Sequence, residues 1–174
     1  MTSSKGSNLE HLARLIEAEL ALLADELYPL LKETQTALVG DKLDNLQRLA
    51  ERETVFSGQL AALEAQRVTA VAEIAHALGT PAEDALAVTM DKLLAMLPTS
   101  PETERIAGLA ADLDQAVHEI GWLNADNHHL THNRLEYTDF VMKLITRRNG
   151  SQHYSAEGRV LDGPPARAML DDTI

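Results

Sequence analysis

The sequence predicts an all-α fold: an elongated antiparallel bundle of three long helices plus one short connecting helix, with a flexible C-terminal tail. Three observations carry that reading. Apolar residues recur in steps of three and four over most of the chain, which is the spacing of one helix face. The apolar mass is Leu, Ala, Ile and Val, while aromatics make up only 3% of 174 residues, a composition suited to helices packed side by side. Gly40, Gly79-Thr80-Pro81 and Pro98-Thr99-Ser100-Pro101 punctuate the long periodic runs, where turns are required.

The first helix is expected over about 8–38, with Asn8 as its N-cap. Its seam is Ala13, Ile16, Leu20, Leu23, Leu27, Leu30, Thr34 and Ala37, a seven-residue repeat. Pro29 interrupts it. Proline removes a backbone donor and clashes with the preceding turn, so a kink is expected while the helix continues. Val39-Gly40-Asp41 reads as a turn, with Gly40 as the stop.

The second helix is expected over about 42–78, with the seam Leu46, Leu49, Glu53, Phe56, Leu60, Leu63, Arg67, Ala70, Ile74 and Ala77. The two seams are out of phase across Gly40. A hairpin needs such a break and a continuous rod does not, so these helices are read as antiparallel neighbours. Gly79 ends the second helix. Thr80 and Glu83 form the pattern of a capping box around Pro81, opening a short helix over about 81–97 with Leu86, Met90, Leu93, Leu94 and Leu97. Ser100 then caps the last helix, with Pro101 at its first position.

That last helix is expected over about 101–148. Its seam is Ile106, Leu109, Leu113, Ala116, Ile120, Leu123, Asn127, Leu130, Arg134, Tyr137, Val141 and Leu144. Residues 1–148 are therefore assigned to the bundle and 149–174 to the tail, where Gly, Pro, Ser and Asp are scattered among few apolar residues.

The chain carries a formal charge of −12, so nucleic acid and anionic membrane surfaces are unsuited as partners. It has no cysteine, which removes disulfides, thiol chemistry and Cys-based zinc sites and suits a cytoplasmic protein. No signal peptide is visible, and no apolar run is long enough to span a bilayer. The nine glycines are isolated, so there is no Gly-rich phosphate loop, and no Ser stands in a nucleophile-elbow context. An enzyme is not expected, and no cofactor is implied.

The stretch GWLNADNHHLTHNRLEY at 121–137 is the richest in polar chemistry. His128 and His132 are four apart and share a face, which Glu136 continues. Such a set can hold a metal, but one helix alone makes a weak site. A solvated polar flank is the favoured reading. A di-metal bundle needs Glu-x-x-His on two helices, and only Glu73-Ile74-Ala75-His76 matches. A phosphotransfer histidine would need a distinctive setting, and none of the seven histidines has one. Asn127 and Arg134 interrupt an apolar seam, as Glu53 and Arg67 do. Such breaks either set register between helices or mark where a partner helix completes the seam.

Here the chain resembles a known family. Trp122-Leu123-Asn124-Ala125-Asp126-Asn127-His128-His129-Leu130 resembles the Leu-Asn-x-x-Asn-x-x-Leu stretch in the last long helix of FlgN-like flagellar export chaperones. Tyr154-Ser155-Ala156-Glu157-Gly158-Arg159 resembles that family's Tyr-x-x-x-Gly element just after the helix. Gly40-Asp41, then Leu46, Leu49 and Glu53, then Leu63-Glu64-Ala65-Gln66-Arg67, is similar to its turn and leucine-rich arm. Where the family usually has Lys near Arg52 or Glu53, only Arg52 carries that charge here.

The resemblance implies a cytosolic, non-enzymatic chaperone of the flagellar type III export system. It would hold the C-terminal helical segment of the hook-associated, or hook–filament junction, proteins and deliver it to export gate and ATPase components. On the last helix, Leu123, Asn124, Asn127, Leu130, Arg134 and Tyr137 are singled out for partner binding. In the tail the corresponding residues are Tyr154, Gly158, Val160, Leu161, Met169 and Leu170, with Tyr154 at the position implicated in gate docking. A helical phosphotransfer or metal-binding bundle and a generic coiled-coil adaptor are the alternatives, and a homodimer through exposed seam stays open.

Overall fold

The computed structural model describes residues 2–40, 43–149, 153–154 and 160–161. The described chain is almost wholly helical. In order it forms α1 (Thr2–Ala21), a π-helical segment (Leu22–Leu27), α2 (Tyr28–Val39), α3 (Leu43–Ala77), α4 (Ala82–Ala85), α5 (Met90–Met96) and α6 (Pro101–Asn149). Two short strands follow, β1 (His153–Tyr154) and β2 (Val160–Leu161). The chain divides into two compact units, Met1–Leu130 and Thr131–Ile174.

In the first unit, α1, the π segment and α2 run on as one helical path. The expected disturbance at Pro29 takes the form of the π turn. Pro29 sits in the first turn of α2, directly after the π turn, so its missing N–H falls where the helical register changes. Just before it, the register widens, and the Tyr28 N–H donates to the Leu23 carbonyl. Gly40 closes α2 as expected, but with φ −86°, outside the left-handed region. Asp41 lies outside the described residues.

Ion pairs show how the helices run. Glu33 meets Arg48 and Arg52, and Glu19 meets Arg67, so α3 descends as the first helix rises. Arg105 of α6 meets Glu10 and Glu17 of α1, and Asn127 of α6 meets Leu31 of α2, so α6 rises beside them. The main core gathers Leu12, Ile16, Leu23 and Leu31 with Val71, Ile74 and Ala75, and is closed by Leu93, Ile106, Leu113 and Leu123. A smaller cluster of Leu30, Ala37 and Leu49 joins α2 to the start of α3. Leu12, Leu15, Leu31 and Leu38 are buried although they lie beside the expected first seam. A helix facing two neighbours buries a wider stripe than a two-stranded coil.

The connection after α3 departs from expectation in two ways. Gly79 has φ +105°, which only glycine adopts without strain. Its N–H bonds the His76 carbonyl, and the Thr80 N–H bonds the Ala75 carbonyl, a Schellman stop. Thr80 is thereby used in ending α3, and the capping box with Glu83 does not form; Pro81 takes the N-cap position of α4 without a side-chain bond. The single helix expected over 81–97 is two pieces. Leu86 leaves the helix and is exposed, and the Thr89 hydroxyl accepts from the Lys92 N–H to start α5. The start of α6 is as expected, with the Ser100 hydroxyl accepting from the Thr103 N–H at 3.2 Å.

Candidate partner-binding surface

Among the described residues of the first unit, the buried polar side chains are Glu19 and Asn127. Arg67 of α3 donates from Nε to both carboxylate oxygens of Glu19 on α1, each at 3.0 Å. Burial pushes the Glu19 carboxyl up from its ordinary value, and the Arg67 charge and hydrogen bonds pull against that shift. The Arg67 break in the second seam is thus an ion-paired layer within the bundle. Asn127 is the second buried group, and its amide donates from Nδ2 to the Leu31 carbonyl at 2.9 Å.

The residues singled out on the last helix therefore separate. Leu123 and Asn127 are buried, so their surface is spent on α1–α2 and not on a free face. Both lie on the seam, and the parallel neighbour fills it there. Asn124 is exposed and Leu130 is half-buried. In the second unit, Arg134 is half-buried and Tyr137 is 69% exposed.

Tyr137 has company that the seam pattern captured only at Leu144. Leu135, Phe140, Met142, Leu144 and Ile145 are all exposed on the same stretch of helix. These residues fall on several faces, whereas a solvated helix keeps its apolar residues to one stripe. The signal was legible as apolar residues leaving the seven-residue pattern after Arg134. Such a surface needs a partner to leave water.

In the tail, β1 and β2 pair antiparallel, His153 opposite Leu161 and Tyr154 opposite Val160. This brings three of the singled-out positions, Tyr154, Val160 and Leu161, into one backbone ladder. Gly158, Met169 and Leu170 lie outside the described residues.

The histidines that suggested a metal face water. His128, His129 and His132 are all exposed, and His132 Nε2 lies 3.3 Å from Glu136 Oε1. His128 and His129 meet edge to face, with ring centroids 6.4 Å apart. Among the described residues no group of three or more His, Asp or Glu side chains is placed to hold a metal ion. His76, of the Glu-x-x-His match, points its Nδ1 at the Thr80 carbonyl, 3.0 Å away, and is part of the α3 terminus. No helix among the described residues is long and apolar enough to cross a membrane.

Trp122 directly precedes the Leu-Asn-x-x-Asn-x-x-Leu stretch. It is 76% exposed, on a face of α6 turned away from the seam. Its neighbours Val117, Gly121 and Ala125 share a shallow hollow with it.

A family model described as FlgN protein matches residues 1–161. No curated protein matches the chain. No solved structure matches it either. The match takes in the helical bundle, the exposed apolar segment of α6 and the β ladder, and on that extent the chain belongs to the FlgN family of flagellar export chaperones.

Proposed function

We propose that this chain is a cytosolic chaperone for flagellar hook-associated proteins, binding their C-terminal helical segment and keeping them competent for type III export. The observation that carries this reading is the exposed apolar run Leu135–Ile145 on a helix. An amphipathic client helix is the natural cover for it, since helix-on-helix docking satisfies the backbone of both and buries the apolar faces. Arg134, Tyr137 and Leu130 would contribute on the helix, with Asn124 at its edge. Leu123 and Asn127 would act by holding that helix in place.

The tail completes the proposal. Residues 149–174 would form a client-responsive segment after the bundle of 1–148, with Val160, Leu161, Met169 and Leu170 as apolar anchors and Gly158 in the Tyr-x-x-x-Gly element. Tyr154 would serve contact with the export gate and ATPase components. The acidic surface keeps a client complex soluble.

The test is calorimetric titration of the full chain, and of a form ending at Asn149, with C-terminal segments of the two hook-associated proteins of the same organism. Micromolar or tighter binding that weakens on loss of the tail is the expected result. A folded protein that binds neither segment would overturn the assignment.

A further inference from the structure

A shallow groove follows α6 within the first unit. On α6, Ala107, Ala110, Ala111, Asp114 and Val117 form one wall of a hollow of about 600 Å³. Its other walls are Glu64 and Arg67 of α3 and Met90 and Leu94 at α5, with Leu113 at its base. Val117 also borders a second hollow of about 370 Å³, shared with Gly121, Trp122, Ala125 and His118, whose ring lies 3.5 Å from Asp114. The two follow one another along α6 from Ala107 to Ala125, about 27 Å at the rise of an α-helix. That is the length of an amphipathic helix of about five turns.

The chemistry of the groove selects its occupant. Alanines and Gly121 let a backbone approach closely, while Met90, Leu94 and Trp122 supply apolar contact. The rim is acidic: Glu64, Asp91 and Asp114 border the larger hollow. Arg67 pairs with Glu19 at 3.0 Å and with Glu64 at 3.8 Å, so one cation is shared by two carboxylates and the rim keeps a net negative charge. We propose that this groove docks a basic amphipathic helix of a partner protein, with apolar residues on the inner face and Lys or Arg along the edges. A second copy of the chain would bring the same acidic rim and a charge of −12 against itself. The last residues of the chain, ARAMLDDTI, are not basic either.

Trp122 is the only tryptophan, so its fluorescence reports on the groove. The probes are a Leu/Lys amphipathic peptide of about 18 residues and its Leu/Glu counterpart. The full chain should show a saturable blue shift with the Leu/Lys peptide and none with the Leu/Glu peptide. Ala111→Arg, at an exposed groove position, should weaken binding about tenfold or more. Glu51→Arg, an exposed charge change elsewhere on α3, should alter it less than about threefold, as a general charge effect. Asp114→Lys gives an independent variant, expected to weaken the Leu/Lys peptide, with circular dichroism melts showing that each variant is folded. Equal loss in Ala111→Arg and Glu51→Arg would overturn the proposal, as would equal binding of both peptides or no shift at all. So would sedimentation of the chain as a dimer that Ala111→Arg dissociates, since the groove would then belong to a second copy. Loss of hook-associated protein binding would leave all these outcomes unchanged, because none of the residues 135–145 lines the groove.

Discussion

Arg67 reaches across from α3 to hold the Glu19 carboxylate of α1 through both oxygens, each 3.0 Å from Nε. The Glu19 side chain is 3% exposed and that of Arg67 is 20% exposed. The two ends of the pair are therefore unequal. Glu19 has no route to water, whereas Arg67 keeps one and also lies 3.8 Å from Glu64.

That inequality sets the first expectation. Arg67→Ala strands a buried carboxylate and should cost about 3–5 kcal/mol. Glu19→Ala leaves a partly solvated guanidinium near Glu64 and should cost less. Replacing both with Met and Leu should recover most of the loss, because well-packed apolar groups often equal a buried pair. Urea unfolding of the two single variants and the double variant measures this. Equal losses in the two singles would contradict the burial argument.

The same pair gives stability a particular pH dependence. Burial raises the Glu19 carboxyl above 4.5, the value of an ordinary glutamate, so the folded state takes up this proton before the unfolded state does. This group therefore favours unfolding most at neutral pH, and its cost shrinks as pH falls through the raised value towards 4.5. Glu19→Gln removes the titration. The stability of the parent chain relative to this variant should rise as pH falls from neutral towards 4.5. A difference that stays flat or falls over that range would show that pairing with Arg67, not burial, dominates.

Asn127 is expected to act on the fold. Asn127→Ala removes the bond to the Leu31 carbonyl and should cost about 1–3 kcal/mol in unfolding free energy. Its effect on affinity for a hook-associated segment should stay below about threefold, since a buried side chain makes no direct contact with a partner. A folded Asn127→Ala protein that loses binding altogether would place the client against this part of the bundle.

The exposed run should behave in the opposite way. Tyr137→Ala with Phe140→Ala removes two exposed aromatic side chains and should weaken client binding by about 1–3 kcal/mol or more. The melting temperature of the free chain should barely move, because neither ring is buried. Calorimetry paired with thermal melts separates the two effects. A large drop in stability would mean that these rings pack within the protein in solution.

Much of this protein could be read from the sequence because a helix face has a fixed period. The leucine spacing marked α3 and α6 and placed Leu49, Ile74, Ile106, Leu113 and Leu123 inward. Ser100 before Pro101 marked the start of α6, since capping is a contact between residues close in the chain. Arg67 and Asn127 stood out as breaks in their seams for the same reason.

What those breaks meet was decided by tertiary structure. Glu19 is one of many glutamates on its helix, and only the antiparallel pairing of α1 with α3 makes it the partner of a residue 48 positions away. Asn127 faces Leu31 because α6 returns parallel to the first helix, across 96 residues. Thr80 lost its capping role to the Schellman stop of α3, where two local rules competed for one residue. The sequence by itself determined where the long helices run and which stripe of each is apolar, because the period of a helix face is local. Which stripe is covered, which is left for a partner and which charge is buried depend on how distant helices pack, and only the folded bundle decides that.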